Sequence, residues 1–308
     1  MKSWRFLLAG CAVAAALAGC AGLPPAGALR LDETPRIAVI SAFQPELTLL
    51  SARLKNARRQ SVNGIEFSTG TLEGKPVVMF LSGVSMVNAA MTTQLALDRF
   101  KVSHIVFSGI AGGVNPQLHV GDVTVPAQWG QYLEVLMARE TAPGKFSAPP
   151  FVKDATLPNF GMLHPRPVEV RTAAQPQVTR KFWFETDPGM LDAARRIRDV
   201  DLESCTAGKC LSRKPQLVVG GNGVSGQAFM DNKALREYTF DTFQANVLDM
   251  ETAAVGHVAY SNGVPWIAFR SLSDLAGGGE GENEMGTFMG IAADNSARVL
   301  LSFLREWK

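Results

Sequence analysis

Short apolar runs of strand length alternate with stretches of helical spacing along most of the chain. Residues 35–40 (RIAVI in essence) form the first run, and KPVVMFL (75–81) forms the second. Between them lies SAFQPELTLLSARL (41–54), spaced like a helix, with Pro45 near its first turn, where proline is tolerated. Ser82 and Gly83 then lead into VNAAMTTQLALDRF (87–100), a second helical pattern. Further runs occupy 103–107 and 120–125. Strand, helix and strand in repetition predict an α/β domain of three layers. Residues 126–215 break the rhythm. They hold many prolines and few long apolar runs, which predicts an insertion or lid region with one helix at about 187–198. Order resumes with a strand at 216–219. A helix near Glu251, the strand WIAF (266–269) and a last helix at about 287–307 close the domain.

Within that pattern Val247–Asp274 carries the most chemistry. Asp249, Met250 and Glu251 stand before a helix-like run. The apolar strand after it delivers Arg270, Ser273 and Asp274 at its carboxyl end. Ligands of α/β folds bind in the crevice outside such strand ends. A carboxylate closing an apolar strand is costly unless it is paired or used. Asp274 is therefore expected to be functional, its bland alternative being the N-cap of the next segment. Glu46 stays ambiguous at this level, because an acid early in a helix also serves as a solvated partner of the helix dipole.

Composition narrows the class. The chain has 308 residues, 46% hydrophobic and 19% charged, enough for one large domain or two small ones. Residues 1–19 read as address rather than fold. Lys2 and Arg5 precede LLAGCAVAAALAG, an apolar stretch too short to span a bilayer. It ends in LAGC at Cys20, which resembles a bacterial lipoprotein signal. That resemblance implies cleavage before Cys20, lipidation of its thiol, and residence on the periplasmic side of the outer membrane, since Ala21 is not an acidic retention residue. Residues 20–34 are expected to be a lipidated tether, and 35–308 the domain. Without Lys2 and Arg5 the bases fall from 30 to 28, against 28 acids. A neutral mature chain argues against nucleic acid as a partner and leaves the membrane to the lipid anchor alone. Cys205 and Cys210, in SCTAGKC, read as a disulfide in an oxidising compartment. A metal half-site is the rival, although no second Cys pair or His cluster accompanies it.

The glycine clusters admit more than one reading. GNGVSG (221–226) fits a dinucleotide fingerprint, but no acidic residue ends a second strand where a ribose contact is needed. SGIAGG (108–113) is either a tight strand-to-helix turn or a backbone surface against which a flat ligand lies. LAGGGEGENEMG (275–286) lacks the Lys-Ser/Thr of a phosphate loop and reads as a mobile surface loop unless it folds over the site. The four histidines are scattered, with neither triad nor metal spacing, and are expected to be structural.

Seven segments together resemble one family. IAVISAFQPE (37–46), LSGVSMVNAA (81–90), IVFSGIAGGV (105–114), LHVGDVTVP (118–126), VSGQAFM (224–230), DMETAAVGHV (249–258) and FRSLSDLA (269–276) look like the nucleoside phosphorylase and nucleosidase superfamily, most of all the methylthioadenosine/S-adenosylhomocysteine nucleosidases. They come in the family's order and cover nearly all of 35–308. The middle insertion, the Cys pair and the NGVSG…DN phrasing look closer to a secreted branch that includes plant bark storage-like proteins. The resemblance implies a central mixed, twisted sheet between helical layers and a homo-oligomer, a dimer by default. It implies a small-molecule purine nucleoside as substrate, and neither metal nor other cofactor.

The resemblance also implies roles. Asp274 matches the acid that protonates purine N7, and Glu46 the glutamate that positions and deprotonates the attacking water. Glu251 matches the carboxylate on the ribose hydroxyls, with Met250 beside the sugar. Phe229 matches the aromatic stacked on the base, and Met230 supplies backbone contacts to its edge. Ser82 and Arg270 match groups near the nucleophile. Breaking an N-glycosidic bond passes through an oxocarbenium-like sugar. An acid is needed at the leaving purine and a base at the water on the opposite face. Two positions depart from the pattern. Asp249 stands where the family usually has Glu, next to the ribose contacts, and Phe43 stands where smaller residues or Met are usual, near the sugar and its 5′ group. Hydrolysis of a purine nucleoside such as 5′-methylthioadenosine or S-adenosylhomocysteine is the first expectation. Phosphorolysis is the second, weakened by Glu46 and by the lack of an early Arg-bearing glycine loop. Non-catalytic nucleoside binding or storage is the third.

Overall fold

A computed structural model describes residues 30–206 and 208–308. The signal segment, Cys20 and the first part of the expected tether lie outside the described residues. The tether nevertheless ends earlier than expected. Strand β1 spans Asp32–Ser41, and Asp32 pairs with Phe100. Only the second half of this strand is apolar, so the run at 35–40 marked its buried end and missed its exposed start.

From β1 the chain enters helix α1 (Gln44–Arg53), with Pro45 in its first turn. An antiparallel hairpin follows, β2 (Lys55–Val62) and β3 (Ile65–Leu72). Its first strand, KNARRQSV, is almost wholly exposed and polar, so no apolar run announces it. Strand β4 (Lys75–Leu81) and helix α2 (Met86–Arg99) fall where the pattern placed them. Strand β5 (Phe100–Gly113) is much longer than the run at 103–107 and carries straight through SGIAGG. The turn reading of those glycines is therefore wrong.

The middle region is not a detached lid. Beyond β6 (Val123–Val125), strands β7 (Gln128–Gln131) and β8 (Trp183–Glu185) join the central sheet. Short hairpins fill much of the interval, and the single helix among the described residues there is α3 (Pro188–Arg196), capped by the Asp187 side chain on the Met190 N–H. Cys205 and Cys210 are disulfide-bonded and face each other across a two-residue ladder. The chain then forms β9 (Leu217–Val219), β10 (Asn222–Ser225) and helix α4 (Lys233–Phe243). Strand β11 (Ala245–Asp249), helix α5 (Thr252–Asn262), strand β12 (Trp266–Asp274) and helix α6 (Met285–Glu306) complete it.

The sheet is mixed, in the order β8-β7-β10-β11-β5-β1-β4-β3-β2, with β12 paired to β5 and β6. Strands β1, β4, β5 and β12 run parallel, whereas β11 runs antiparallel to β5. Alternation along β1 builds the layers. Ile37 and Val39 face a core with α1, α3 and α6, while Ala38 and Ile40 face one with α2 and α5. Successive side chains of a strand point to opposite faces, so a strand apolar throughout needs helices on both sides. This is the expected three-layer α/β/α arrangement. Gly223 shows what the GNGVSG motif is for. It lies in β10, and a Cβ there would sit 2.6 Å from the Trp129 ring. The motif is a packing site inside a strand, not a phosphate turn.

Candidate active site

A cavity of about 230 Å³ opens at the carboxyl ends of the parallel strands. Ala42, Phe43 and Glu46 reach it from the β1–α1 junction, and Ile110, Ala111 and Gly112 from the end of β5. Leu248, Asp249, Met250 and Glu251 come from β11 and the start of α5, and Ser273 and Asp274 from β12. Ala228, Phe229 and Met230 form another wall, and Val84 and Met285 complete it. Eight of the ten residues expected at the site thus line one cavity, although they come from four separate stretches of chain. Arg270 and Ser82 do not line it.

Glu46 is not the solvated helix acid that its position permits, being only 2% exposed. Its Oε2 accepts the N–H of Ala42 at 2.6 Å, and its Oε1 accepts the N–H of Ile110 at 2.8 Å. Burial pushes its pKa upward, against the pull of Arg270 and these amides. A carboxylate shifted this way is a stronger base toward a water held against it.

Arg270 lies beneath the cavity floor, fully buried. Its Nε is 2.7 Å from Asp249 Oδ2 and 2.9 Å from Thr252 Oγ1, while its Nη2 donates to Glu251 Oε2 at 3.4 Å. Nη1 lies 3.7 Å from Glu46 Oε1, and the guanidinium stacks 4.1 Å over the Phe107 ring. One cation therefore gathers three carboxylates. A buried cluster with more acids than bases relieves its charge by holding a proton. Burial pushes Glu251 up to about 7, against the pull of Arg270, with Asp249 pushing the same way. The backbone N–H of Ser85 donates to Glu251 Oε1 at 2.7 Å. Ser85 adopts φ +80°, a left-handed conformation that a non-glycine residue takes at a cost and that aims its amide at the site.

Asp249 faces the cavity, but its oxygens are occupied. Ser225 Oγ donates to it at 2.5 Å, the N–H groups of Glu251 and Thr252 at 3.1 Å each, and Thr252 Oγ1 as well. The shorter acid braces the start of α5 and Arg270, so its expected contact to ribose finds no free lone pair in this arrangement. Ser82 is likewise turned inward, its Oγ donating to the carbonyl of Gly83 at 2.8 Å.

Asp274 closes β12 and is 3% exposed. Burial raises its pKa, opposed by the Ala276 N–H and the Ser273 hydroxyl, both 2.8 Å from its oxygens, and by Asn283. A carboxyl whose hold on its proton is strengthened by burial suits a general acid. Its helix-cap alternative fails, since α6 begins eleven residues later. Phe229 is 56% exposed at the cavity mouth, placed for a ring to stack on a flat ligand rather than to fill the core.

Other contributors escaped the sequence reading. The Ile110 and Ser85 amides act through backbone, which no residue type reveals. The glycine-rich loop at 275–286 reaches the site through Asn283, 3.4 Å from Asp274, and through Met285. Its Gly and Asn content offered only the general signal of a loop.

The model of the Phosphorylase superfamily matches residues 36–305. The 5′-methylthioadenosine/S-adenosylhomocysteine nucleosidase of Lysinibacillus sphaericus is 31% identical over 268 residues, covering 86% of this chain and 97% of the relative. The enzyme of the same description from Bacillus licheniformis is 30% identical over 274 residues, covering 88% and 99%. The crystal structure of the methylthioadenosine/adenosylhomocysteine nucleosidase from Colwellia psychrerythraea, in complex with adenine, superposes with a TM-score of 0.65 at 26% identity, covering 89% of this chain and 96% of that one.

Proposed function

The chain belongs to the Phosphorylase superfamily, and from that premise we propose that it hydrolyses the N-glycosidic bond of purine nucleosides of the 5′-methylthioadenosine or S-adenosylhomocysteine class, releasing adenine. The observation that carries the reading is the convergence of Asp274, Glu46 and Glu251 on one cavity, each buried and each with a raised pKa.

The chemistry follows from their places. The base lies against Phe229, with its edge at Met230. Asp274 gives its proton to N7 as the bond to C1′ lengthens, so the purine leaves neutral. Glu46 orients a water on the opposite face of the sugar and takes its proton as the oxygen joins C1′. Glu251 holds the ribose hydroxyls, steadied by Ser85 and Arg270, while Met250 and Phe43 flank the sugar and its 5′ group. Acid and base assistance of this kind contributes roughly 10²–10⁴-fold each.

Water rather than phosphate is the favoured nucleophile. Among the described residues lining the cavity there is no Lys or Arg. Arg270, the nearest cation beneath it, is already engaged by three carboxylates. A bound phosphate needs several donors of positive charge and would meet Glu46 instead.

The chain is further proposed to act as a lipoprotein at the periplasmic side of the outer membrane, anchored through Cys20, and to work as a dimer. The Cys205–Cys210 bond fits an oxidising compartment. Val87 and Met91 on α2, 67% and 57% exposed, offer an apolar face for a second copy.

Base release from a nucleoside panel with and without phosphate tests the activity, read by product identity. Free 5-substituted ribose, formed at the same rate in both buffers, is expected. Ribose 1-phosphate would mean a phosphorylase, and no base release from any nucleoside would mean a binding protein.

A further inference from the structure

Asp274 is held by a contact that the reaction itself does not require. Asn283 places its Nδ2 between two carboxylates, 3.0 Å from Asp231 Oδ1 and 3.4 Å from Asp274 Oδ1. Its orientation is unambiguous, because its Oδ1 accepts the N–H of Met285 at 2.9 Å. Met285 begins α6 and lines the cavity, and Asp231 follows Met230, which lines it too. The seam between these stretches is tight. The Asn232 N–H donates to the Ala276 carbonyl at 3.2 Å, and Gly277, at φ +86°, lies so close to the Asp231–Asn232 backbone that a Cβ there would be 2.7 Å from the Asp231 carbonyl carbon. The base-binding wall and the loop after β12 are thus stitched together at Asn283.

We propose that Asn283 and Asp231 form a positioning pair for the general acid, with Asn283 fixing which oxygen of Asp274 carries the proton and Asp231 setting how firmly that proton is held. The inference rests on the nucleosidase reading above. Oδ1 of Asp274 receives two N–H donors, from Ala276 and Asn283, whereas Oδ2 receives only the Ser273 hydroxyl. An oxygen already accepting two N–H groups is the poorer place for a proton, so the proton resides on Oδ2. The Asp231 charge opposes ionisation of Asp274 and supports its raised pKa, behind burial as the leading cause. The other charged groups facing this corner are Glu282 and Glu284 in the loop, Arg236 of α4 packed against Gly278, and Glu46 and Glu251 across the cavity.

Two variants separate this role from simple support, because they move the same titration in opposite directions. Asp231→Asn removes a negative charge, so Asp274 loses its proton sooner. The basic limb of kcat/KM should shift down by roughly half a pH unit, a modest shift because Asp231 is exposed and screened. In 1 M salt the parent's limb should move toward the variant's. Asn283→Ala removes a donor to the carboxylate, so the limb should move up while kcat falls roughly tenfold, with little change in KM. Asp231 lies at the surface, so its variant keeps the fold. If the parent releases base and both limbs coincide with its own, the positioning pair is refuted and the activity stands. If the parent releases no base from any nucleoside, the catalytic reading falls and takes this inference with it.

Discussion

Gly109 leaves no room between itself and Glu46. A Cβ on Gly109 would lie 2.5 Å from Glu46 Oε1 and would also meet the Arg270 guanidinium. Both side chains are buried, so neither can swing away into solvent. Gly109→Ala is therefore expected to displace the carboxylate proposed to hold the water. Base release should fall about 100-fold, the scale of a 1 Å misplacement at a catalytic group. Overpacking should cost about 1–3 kcal/mol, read by denaturant unfolding. Full activity in a folded Gly109→Ala protein would remove Glu46 from the mechanism.

Asp274→Asn and Glu46→Gln keep shape and remove one proton-handling group each. Both proteins should fold and both should lose base release by at least about 10²-fold. Asp274→Asn should be rescued in part by a nucleoside whose leaving base needs no protonation, and Glu46→Gln should not. Steady-state rates with two substrates of different leaving-group basicity check this. Equal loss on both substrates in Asp274→Asn would count against its role as the acid.

The pH profile should be a bell. Glu46 must be ionised to take the water's proton, and burial raises its pKa, so activity should fail on the acid side above the ordinary glutamate value of 4.5. Asp274 must be protonated, and its pKa is raised as well, so activity should fail as pH rises through that value. Initial rates across pH 4–10 locate both limbs.

Stability should carry the signature of Glu251. Its pKa rises from 4.5 in the unfolded chain to about 7 in the folded one. A raised carboxyl contributes its full stability below the unfolded value and loses it as pH climbs through the folded one. Between pH 4.5 and about 7 the parent should therefore lose stability relative to Glu251→Gln. Urea unfolding of both proteins at pH 4.5 and pH 8 measures the difference, and parallel behaviour would mean that Glu251 does not hold the proton.

Phe229 can be truncated without touching the core, since more than half of it is exposed. Phe229→Ala should raise KM by about tenfold or more, the cost of one base–aromatic stack, with a smaller effect on kcat. An unchanged KM would place the base elsewhere.

The legible parts of the chain are those where burial and period coincide. KPVVMFL is β4, and Asp249 and Asp274, which end β11 and β12, belong to the cavity because an apolar strand must end where the layers end. The seven motif segments reached the family and all but two of the cavity-facing residues. The hairpin strand β2 was invisible because a polar, exposed strand carries no apolar alternation. The strands at 128–131 and 183–185 were hidden in a proline-rich region whose pairing partners lie far away in sequence.

What the sequence determined alone is the layered α/β framework and the inventory of acids at its strand ends, because patterning and residue type are local properties. Which acid is free to act was decided by the tertiary structure. Asp249 and Glu251 are two residues apart and both carry carboxylates toward the cavity, yet the first is saturated by Ser225, Thr252 and Arg270 while the second has a raised pKa. Glu46 changes from a permissible surface acid into a buried carboxylate only when β5 brings the Ile110 amide and β12 brings Arg270 beside it. Desolvation and hydrogen bonding set the state of a carboxylate, and both depend on neighbours that the chain supplies from more than sixty residues away.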